Sequence, residues 1–449
     1  MRTQRRSARV IASAVALAGC TALVPPAQAA HPAHAGDSGA GAARAGTGPR
    51  DLARQTLPAG DGWASEGAGT TGGAAADAAH TYTVTTWAAF RAALAADTGG
   101  AARIVRVAGT LDATEGGCRT FEADGYDFDR YLADYDPAVW GYERPVSGVQ
   151  EDLRAASAAN QGKAIKAYVP ARTTIVGVGE DAGITGGSLQ IQGVDNVIVR
   201  NLTLESPLDC FPQWDPTDGA TGAWNSEYDA MVVYGSTHVW IDHNTFTDGR
   251  HPDSSLPRHY GELYQQHDGE LDIVRGADHV TASWNVFADH DKTLMIGNSD
   301  SAAATDRGKL RVTLHHNLFR GVVERAPRVR FGQVDVYNNH HVVEGGQDYA
   351  YSYGIGFESR LYAERNAFTL PDGVSAARLL KKWKDAPVTA RGNHVNGRAV
   401  DLIAAHNAEK PDEALRSGAG WTPVLRTRVD DPRAVPGLVR GRAGAGKIR

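Results

Sequence analysis

A short pattern that returns seven times constrains the fold of this chain more than any other feature. In six copies the pattern reads apolar, any, apolar, any, any, Asn, and the first copy lacks one residue. The copies end at Asn201, Asn244, Asn285, Asn317, Asn339, Asn366 and Asn393. Because side chains alternate between the two faces of a strand, the pattern predicts a strand followed by a turn. Asn tolerates a left-handed bend at such a turn and can hydrogen-bond along a stack of equivalent turns.

The spacing of the copies predicts a solenoid. Successive Asn residues are 43, 41, 32, 22, 27 and 27 positions apart, which suits coils of a parallel β-helix, some of them carrying long loops. One coil cannot bury its inner face alone, so the coils must stack into a continuous core. The alternative is an antiparallel β-sandwich, but hairpin dipeptides such as Asn-Gly are nearly absent between the repeats. We therefore expect an all-β fold, a parallel β-helix with peripheral loops and short helices.

The segments before the repeat are predicted to contribute short elements. Thr81 to Val84 and Ile104 to Val107 have the composition of strands, and Trp87 to Ala96 between them favours a helix. The segment from Gln150 to Lys166 is typical of a helix on the outside of the solenoid. The arginine-containing tail from Val424 to Arg449 shows little periodicity, and we expect it either to cover one end of the solenoid or to be loose.

The N-terminus has the pattern of an export signal. Four arginines precede an apolar stretch from Val10 to Val24, and Ala27-Gln28-Ala29 offers a small-x-small cleavage site. Arg5-Arg6 also fits a twin-arginine signal, and Leu17 to Cys20 fits a lipoprotein processing site. The sequence therefore predicts a secreted protein, with lipid anchoring at Cys20 as the alternative.

The domain organisation follows from these patterns. Residues 1–29 are predicted to be the signal peptide, and residues 30–50, rich in Ala and Gly, a flexible linker. Residues 51–449 are predicted to form the β-helix domain, with a catalytic core at about 190–370.

Charge and cysteine content restrict the partners and the compartment. The formal net charge is −6, and loss of residues 1–29, which hold four arginines and no acid, makes it −10. A protein with this charge is not a general polyanion binder, so we expect no nucleic-acid partner. An acidic substrate would need a local basic cluster or a bound cation. Cys118 and Cys210 remain after cleavage, and the sequence leaves open whether they form a disulfide or two buried thiols.

Three acids are candidate metal ligands. Asp229 precedes the coil that ends at Asn244, and Asp268 and Asp272 precede the coil that ends at Asn285. Adjacent coils would place the three side by side, where carboxylates repel one another unless a cation lies between them. Oxygen-only ligands favour a hard ion such as Ca²⁺. The alternative is a set of solvated loop carboxylates.

A basic cluster follows the acidic one. Lys292 lies in ADHDKTLMIG, and the run RAPRVR contains Arg325, Arg328 and Arg330. Arg328 and Arg330 are two apart and therefore share a strand face. The run lacks the interleaved aromatic residues that stack nucleic-acid bases. Solvated or ion-paired arginines at a sheet edge are the alternative interpretation.

A third polar group, Trp240-Ile241-Asp242-His243 with His315-His316, is interpreted as structural, because buried polar side chains usually serve as hydrogen-bond partners. The chain has no Gly-x-Ser-x-Gly elbow, no His-Glu-x-x-His zinc motif and no P-loop. The corresponding hydrolase, metalloprotease and nucleotide-binding classes are therefore disfavoured.

Taken together, five segments resemble the bacterial pectate lyases of polysaccharide lyase family 1. The segments are WIDHNTFTDG, HDGELDI, ADHDKTLMIGNSD, KLRVTLHHN and RAPRVRFGQVDVYNN. The resemblance extends from about Leu52 to residue 447. It implies a secreted enzyme with a right-handed parallel β-helix and a site on one long face.

The resemblance also implies roles for individual residues. Asp229, Asp268 and Asp272 fall on the calcium-ligand positions, and Arg325 falls on the position of the base that removes a proton. Lys292 and Arg330 fall on positions that bind substrate carboxylates and assist catalysis. Arg328, which shares their strand face, joins the predicted substrate-binding set.

The activity implied is calcium-dependent cleavage of α-1,4-polygalacturonate by β-elimination, which leaves 4,5-unsaturated oligogalacturonates. We expect a monomer. Related pectin lyases act on methyl-esterified polymer and do not keep the acidic triple, so the presence of all three acids here favours demethylated polymer as the substrate. Bound Ca²⁺, Lys292 and Arg330 are expected to lower the pKa of Arg325. The alternatives are a pectin-degrading hydrolase, which needs paired carboxylates, and a non-catalytic β-helix adhesin or carbohydrate-binding module.

Overall fold

Three parallel β-sheets wind together along residues 51–448, the part of the chain that the computed structural model describes. The predicted signal peptide, the linker and Cys20 lie outside the described residues. Each full coil contributes one strand to each sheet, in the order third, first, second along the chain.

The first sheet contains the sequence repeat. Its strands are Thr81–Val84, Arg103–Asp112, Thr173–Thr185, Asp195–Arg200, Thr237–Asp242, Asp278–Ser283, Val312–His315, Gln333–Tyr337, Arg360–Glu364 and Thr389–Arg391. Each apolar position pairs with its equivalent in the next coil, so that Val239 lies between Val197 and Val280. These side chains are fully buried and form the core inside the solenoid.

The second sheet follows directly after the turn. Its parallel strands are Thr203–Glu205, Thr245–Thr247, Val286–Ala288, Leu318–Arg320, His340–Val342, Ala367–Thr369 and His394–Val395. Arg398–Ala399 closes this sheet with an antiparallel pairing. Phe246, Phe287 and Phe319 stack at its centre with ring centroids 4.9 and 5.0 Å apart.

The third sheet has eight strands among the described residues. They are Lys166–Tyr168, Ser188–Gln192, Met231–Tyr234, Leu271–Val274, Leu294–Ile296, Arg328–Val329, Tyr353–Ile355 and Leu380–Lys382. All neighbouring pairs in this sheet are parallel, which excludes the β-sandwich and confirms the right-handed parallel β-helix.

Buried asparagines join successive coils at the turn between the first and second sheets. Asn317 accepts hydrogen bonds from the backbone N–H of Asn285 at 2.9 Å and from its amide group at 3.1 Å. Its own amide donates to the carbonyl of Ala282 and to Oδ1 of Asn339, both at 2.9 Å. The same arrangement runs through Asn244, Asn285, Asn317, Asn339, Asn366 and Asn393. The predicted stack of asparagines is therefore present.

The predicted position of the left-handed bend was wrong by one residue. At these turns the residues with positive φ are those just before the asparagines, among them His243, Trp284 and His316, with φ between 51° and 56°. Asn201 belongs to this position, because its predecessor Arg200 pairs with Asp242. The ladder position in that coil is taken by Leu202, whose N–H donates to Oδ1 of Asn244. The sequence repeat placed Asn201 in the ladder because it is an asparagine, but the strand register places it one residue before the ladder position.

Helices lie outside the three sheets. The α-helices are Trp87–Ala95, Phe128–Asp134, Pro137–Trp140, Val149–Ile165, Ala303–Asp306, Leu402–Glu409 and Val435–Arg442. Short 3₁₀ helices are Leu52–Arg54, Trp63–Ser65, Cys118–Phe121, Asp253–Ser255, Ala376–Leu379 and Pro411–Glu413. Two antiparallel strand pairs are Gln213–Asp215 with Ala223–Asn225 and Arg258–His259 with Glu262–Leu263. The helices predicted near residues 87–96 and 150–166 are confirmed. None of the helices in the described part of the chain has the length and apolar character to span a bilayer.

A disulfide and the C-terminal tail join distant parts of the chain. Cys118 and Cys210 form a disulfide with Cα atoms 5.5 Å apart, which answers the question that the sequence left open. The tail runs back along the first sheet: Arg426 pairs with Asp335 at 2.8 Å, and the N–H of Gly446 donates to Oδ1 of Asn201. The described part of the tail therefore covers the outside of the coils.

We expect Asn317→Ala to lower the free energy of unfolding by about 2–4 kcal/mol, because it removes four buried hydrogen bonds and leaves neighbouring polar groups unpaired. Asn393→Ala, at the end of the ladder, removes fewer bonds and should cost less. Denaturant unfolding of both variants measures the difference. Equal stability of the Asn317→Ala variant and the wild type would contradict a structural role for the ladder.

Candidate active site

The predicted functional residues meet where four adjacent strands of the third sheet begin. These strands are Met231–Tyr234, Leu271–Val274, Leu294–Ile296 and Arg328–Val329, which pair in that order. The predicted residues lie in these strands or within four residues of them: Asp229, Asp268, Asp272, Lys292, Arg325, Arg328 and Arg330. The structure therefore brings both predicted constellations onto one flank of the solenoid.

The carboxylates are held by backbone donors. The N–H of Gly269 donates to Oδ1 of Asp229 at 2.7 Å, and the N–H of Met295 donates to Oδ1 of Asp272 at 3.3 Å. Asp272 points outward from its strand, since the adjacent Leu271 and Ile273 are fully buried in the core. Alternation along the strand therefore aims Asp272 at the surface where Asp229 lies.

The surroundings of the same carboxylates disfavour their ionised form and raise their pKa values. Burial raises the pKa of Asp229 well above its ordinary value, and repulsion by Asp272 and Asp268 raises it further. Burial and the charge of Asp268 raise the pKa of Asp272 to about 7, although Arg325 and Arg330 act in the opposite direction. A divalent cation bound among these carboxylates would offset both the burial and the mutual repulsion of Asp229 and Asp272.

The geometry around Gly269 fits a bound cation. A Cβ atom at this position would lie 2.6 Å from Oδ1 of Asp229 and 3.0 Å from Oδ1 of Asp272. Glycine thus leaves open the space that both carboxylates face. The donors are oxygen atoms only, which is the chemistry that Ca²⁺ prefers. Asp229 and Asp272 therefore fit the predicted calcium site, and Asp268 lies near enough to raise the pKa of both.

A second group of candidate ligands lies behind the first. One ligand atom each from Asp248, Asp253 and His267 lie within 4.8 Å of one another. However, Nδ1 of His267 contacts the carbonyl of Pro207 at 3.0 Å, and its Nε2 contacts the carbonyl of His251 at 2.7 Å. Both ring nitrogens of His267 therefore face backbone carbonyl oxygens, which compete with a metal ion for this side chain.

A buried histidine supports the main chain of Asp268. His290 is fully buried, with Nδ1 2.6 Å from Oδ1 of Asp248 and Nε2 2.7 Å from the carbonyl oxygen of Asp268. Both partners are acceptors, so His290 donates through both nitrogens and is positively charged. Burial opposes this charge, but Asp248 outweighs it and the pKa of His290 rises to about 10. The sequence analysis missed this pair, although His290 lies in the ADHDK segment.

Two of the three arginines are held by acidic neighbours. Nε of Arg325 donates to Glu324 at 2.7 Å. Nε of Arg330 donates to Asp300 at 2.8 Å, and Nη1 donates to the carbonyl of Gly297 at 2.7 Å. Neither acid was predicted, yet Glu324 directly precedes Arg325 in sequence and Asp300 lies in the GNSD segment. These ion pairs orient the guanidinium groups toward the flank.

The shift that the side chains alone impose on the pKa of Arg325 is opposite to the one expected with bound calcium. Burial lowers the pKa of Arg325, but Glu324, Tyr351 and Asp272 raise it more, and the result is above the ordinary value. The prediction counted the neighbouring cations and overlooked Glu324. Arg325 also has a positive φ of 61° and is followed by a cis Ala326–Pro327 peptide bond.

Lys292 lies beside Arg325 in the adjacent coil. Lys292 forms a parallel bridge with Glu324, and the N–H of Leu294 donates to the carbonyl of Arg325 at 2.7 Å. Within the described residues no hydrogen bond or ion pair engages the Lys292 ammonium group. Its charge is therefore not neutralised by an acidic partner and can interact with an incoming anion.

The Trp-Ile-Asp-His motif lies on a different face. Asp242 pairs with Arg200 at 2.6 Å and with Nδ1 of His243 at 2.8 Å on the outside of the first sheet. Trp240 donates from its ring nitrogen to Ser283 at 2.9 Å. These contacts join neighbouring coils, and the motif contributes no side chain to the flank described above.

Comparison with known proteins identifies the family. A family model described as pectate lyase matches residues 51–126 and 147–412, well over half of the chain. The chain belongs to the pectate lyase family. It is an enzyme, a lyase that acts on polysaccharide.

Individual relatives cover most of the chain. It is 42% identical over 414 residues to a pectate lyase of Bacillus subtilis, which covers 90% of this chain and 96% of the relative. It is 38% identical to pectate lyase E of Dickeya chrysanthemi, which covers 80% of this chain and 82% of the relative.

Solved structures of pectate lyases share the fold. A thermostable pectate lyase superposes with a TM-score of 0.86 at 42% identity, over 89% of this chain and all of that chain. A pectate lyase bound to a hexasaccharide superposes with a TM-score of 0.84 at 42% identity, again over 89% and 100% of the two chains.

We expect Gly269→Ala to abolish most of the activity while the protein remains folded, because the added methyl group would displace the Asp229 and Asp272 carboxylates. Initial rates on polygalacturonate and thermal unfolding measure the two effects. Gly345→Ala is the matched control, since no atom lies within 4 Å of a Cβ at that position. A Gly269→Ala enzyme with wild-type rates would show that this space is not needed.

Proposed function

We propose that the protein is a secreted, calcium-dependent pectate lyase that cleaves demethylated α-1,4-polygalacturonate by β-elimination and releases 4,5-unsaturated oligogalacturonates. The observation that supports this most is that the buried carboxylate of Asp272, which lies beside Asp229, interacts with Arg325 and Arg330 two coils further along the same flank. This arrangement can accept a sugar acid between negative and positive groups.

Calcium would be held by Asp229, Asp268 and Asp272. When bound, it would supply a positive charge that stabilises the negative charge developing on the substrate carboxylate. The residues of the chain perform the remaining steps. Lys292 and Arg330 would bind the carboxylate of the sugar at the cleavage site and stabilise the charge that develops on its oxygens.

Arg325 would remove the proton from C5 of that sugar. The electron pair of the C5–H bond forms the C4=C5 double bond, the C4–O bond breaks, and the leaving oxygen takes a proton from solvent. Arginine is a weak base, because the guanidinium group holds its proton to very high pH. Asp272 helps to keep Arg325 protonated, so neutralisation of Asp272 would lower the pKa of Arg325 toward a reactive value.

Two further parts of the proposal are the form of the substrate and the localisation. A site with four cationic side chains favours free carboxylates over methyl esters, which supports the demethylated polymer as substrate. The Cys118–Cys210 disulfide supports an oxidising compartment and therefore export. We propose secretion as the localisation.

The direct test of the function is the ultraviolet absorbance of unsaturated product. Wild-type protein should form this product from polygalacturonate with calcium, and excess chelator should abolish it. Asp268→Ala should lose most of the rate or require much more calcium, because one ligand is removed. Asp289→Ala, which removes an exposed partner of Arg320 on the second sheet, should behave like the wild type. Saturated product ends would indicate a hydrolase, and full activity in chelator would remove calcium from the proposal.

Arg325→Ala should lose about 10²–10⁴-fold in rate, the usual contribution of general-base catalysis, yet it should still bind oligogalacturonate in calorimetry. The wild-type rate should rise from neutral into alkaline pH, because the deprotonated fraction of Arg325 increases and its pKa is raised by Glu324. Arg320→Ala is the control, an exposed arginine on the second sheet. A rate profile that peaks in acid would contradict an arginine base.

A further inference from the structure

Arg328 differs from the arginines on either side of it. Arg325 and Arg330 each donate to a carboxylate, whereas no hydrogen bond or ion pair to Arg328 occurs among residues 51–448. Its Nε is buried without a hydrogen-bond partner. A buried donor of this kind is costly unless a ligand satisfies it.

An aromatic side chain holds Arg328 in place. The guanidinium carbon lies 4.1 Å from the ring centroid of Trp383, which follows the last strand of the third sheet, Leu380–Lys382. Gly354 in the intervening coil permits this contact, because a Cβ there would lie 3.0 Å from both Arg328 and Tyr351. The Tyr351 ring packs edge-on against Trp383, with centroids 6.1 Å apart.

This contact leaves the hydrogen-bonding capacity of Arg328 intact. An aromatic face attracts a guanidinium group through its π electrons and does not use the N–H donors. A carboxylate partner would both neutralise the charge and occupy the donors. Arg328 is thus positioned but not neutralised, and its donors suit a planar carboxylate.

Trp383 itself remains accessible. It is 39% exposed, one of the few large hydrophobic side chains on the surface of the described chain. Lys381 lies 5.7 Å from the same ring, and Lys384 pairs only weakly with Asp300, at 3.4 Å. An apolar ring surrounded by cations suits a ligand with apolar C–H faces and carboxylates, which describes a chain of uronic acids.

We propose that Arg328 and Trp383 form a binding subsite for a galacturonate unit remote from the cleaved bond, with the carboxylate on the guanidinium group and the sugar ring against the indole. This inference rests on the proposed function. The strand of Arg328 lies two strands beyond that of Asp272 and the strand of Lys381 lies four strands beyond it, about 10 and 19 Å along the solenoid at about 4.8 Å a strand. The subsite therefore engages long substrates and not the shortest ones that are cleaved.

The test compares Trp383→Ala and Trp383→Phe on oligogalacturonates of increasing length. Trp383→Ala should raise KM for octamers roughly three- to tenfold with little change in kcat. It should leave the shortest cleavable oligomer unaffected, and Trp383→Phe should retain most of the affinity because it keeps a ring. The matched control is Trp140→Ala, which removes a similar contact, Arg144 over Trp140 at 4.0 Å, from the helix Pro137–Trp140 outside the third sheet.

A second measurement separates binding from turnover. In an Arg325→Ala background, octamer should quench tryptophan fluorescence, and Trp383→Phe should remove most of this quenching. Unchanged KM at every length, or an equal rise at all lengths, would overturn the subsite even though the wild type forms unsaturated product. Absence of unsaturated product from the wild type would instead refute the proposed function.

Discussion

Parallel pairing between coils is the constraint on which the rest of the structure depends. It places residues that are 20 to 40 positions apart in sequence at about the spacing of neighbouring strands. Asp272, Met295 and Arg328 are consecutive partners in one outward-facing row of the third sheet. A slip of one residue would turn this row toward the core. The asparagine ladder fixes the register, because each amide pairs with the coils on both sides.

The active-site flank brings together buried acidic and basic side chains, whose charges are less unfavourable together than each would be alone. Burial and mutual repulsion raise the pKa of Asp229 and Asp272, and the facing arginines partly offset the effect on Asp272. Glu324 and Asp300 orient two arginines by ion pairs, whereas Trp383 orients Arg328 without neutralising it. Arg325 and Arg330 are therefore paired with acids, whereas Arg328 has no acidic partner among the described residues and remains available to a polyanionic substrate.

Much of the fold followed from the repeat, because strand alternation and a turn residue are local properties. The placement of the three acids and four cations on one flank also followed, once coils were assumed to stack. The predicted position of the left-handed bend was wrong by one residue, and Asn201 was placed in the ladder by mistake, because residue type alone does not reveal the strand register. The contribution of Glu324 to the pKa of Arg325 was not foreseen, because this ion pair depends on side-chain geometry. The contacts of His290 with Asp248 and Asp268 could not be predicted from spacing either.

The sequence by itself determined the solenoid, the family resemblance and the identity of the charged residues, since these depend on periodicity and on motifs within single segments. Only the tertiary structure decided which charges are neutralised and which remain available. It also decided that Cys118 and Cys210 are joined and that Trp383 lies over Arg328. The physical reason is that burial, ion pairing and aromatic contacts arise between coils, where distances depend on the packing of the whole chain.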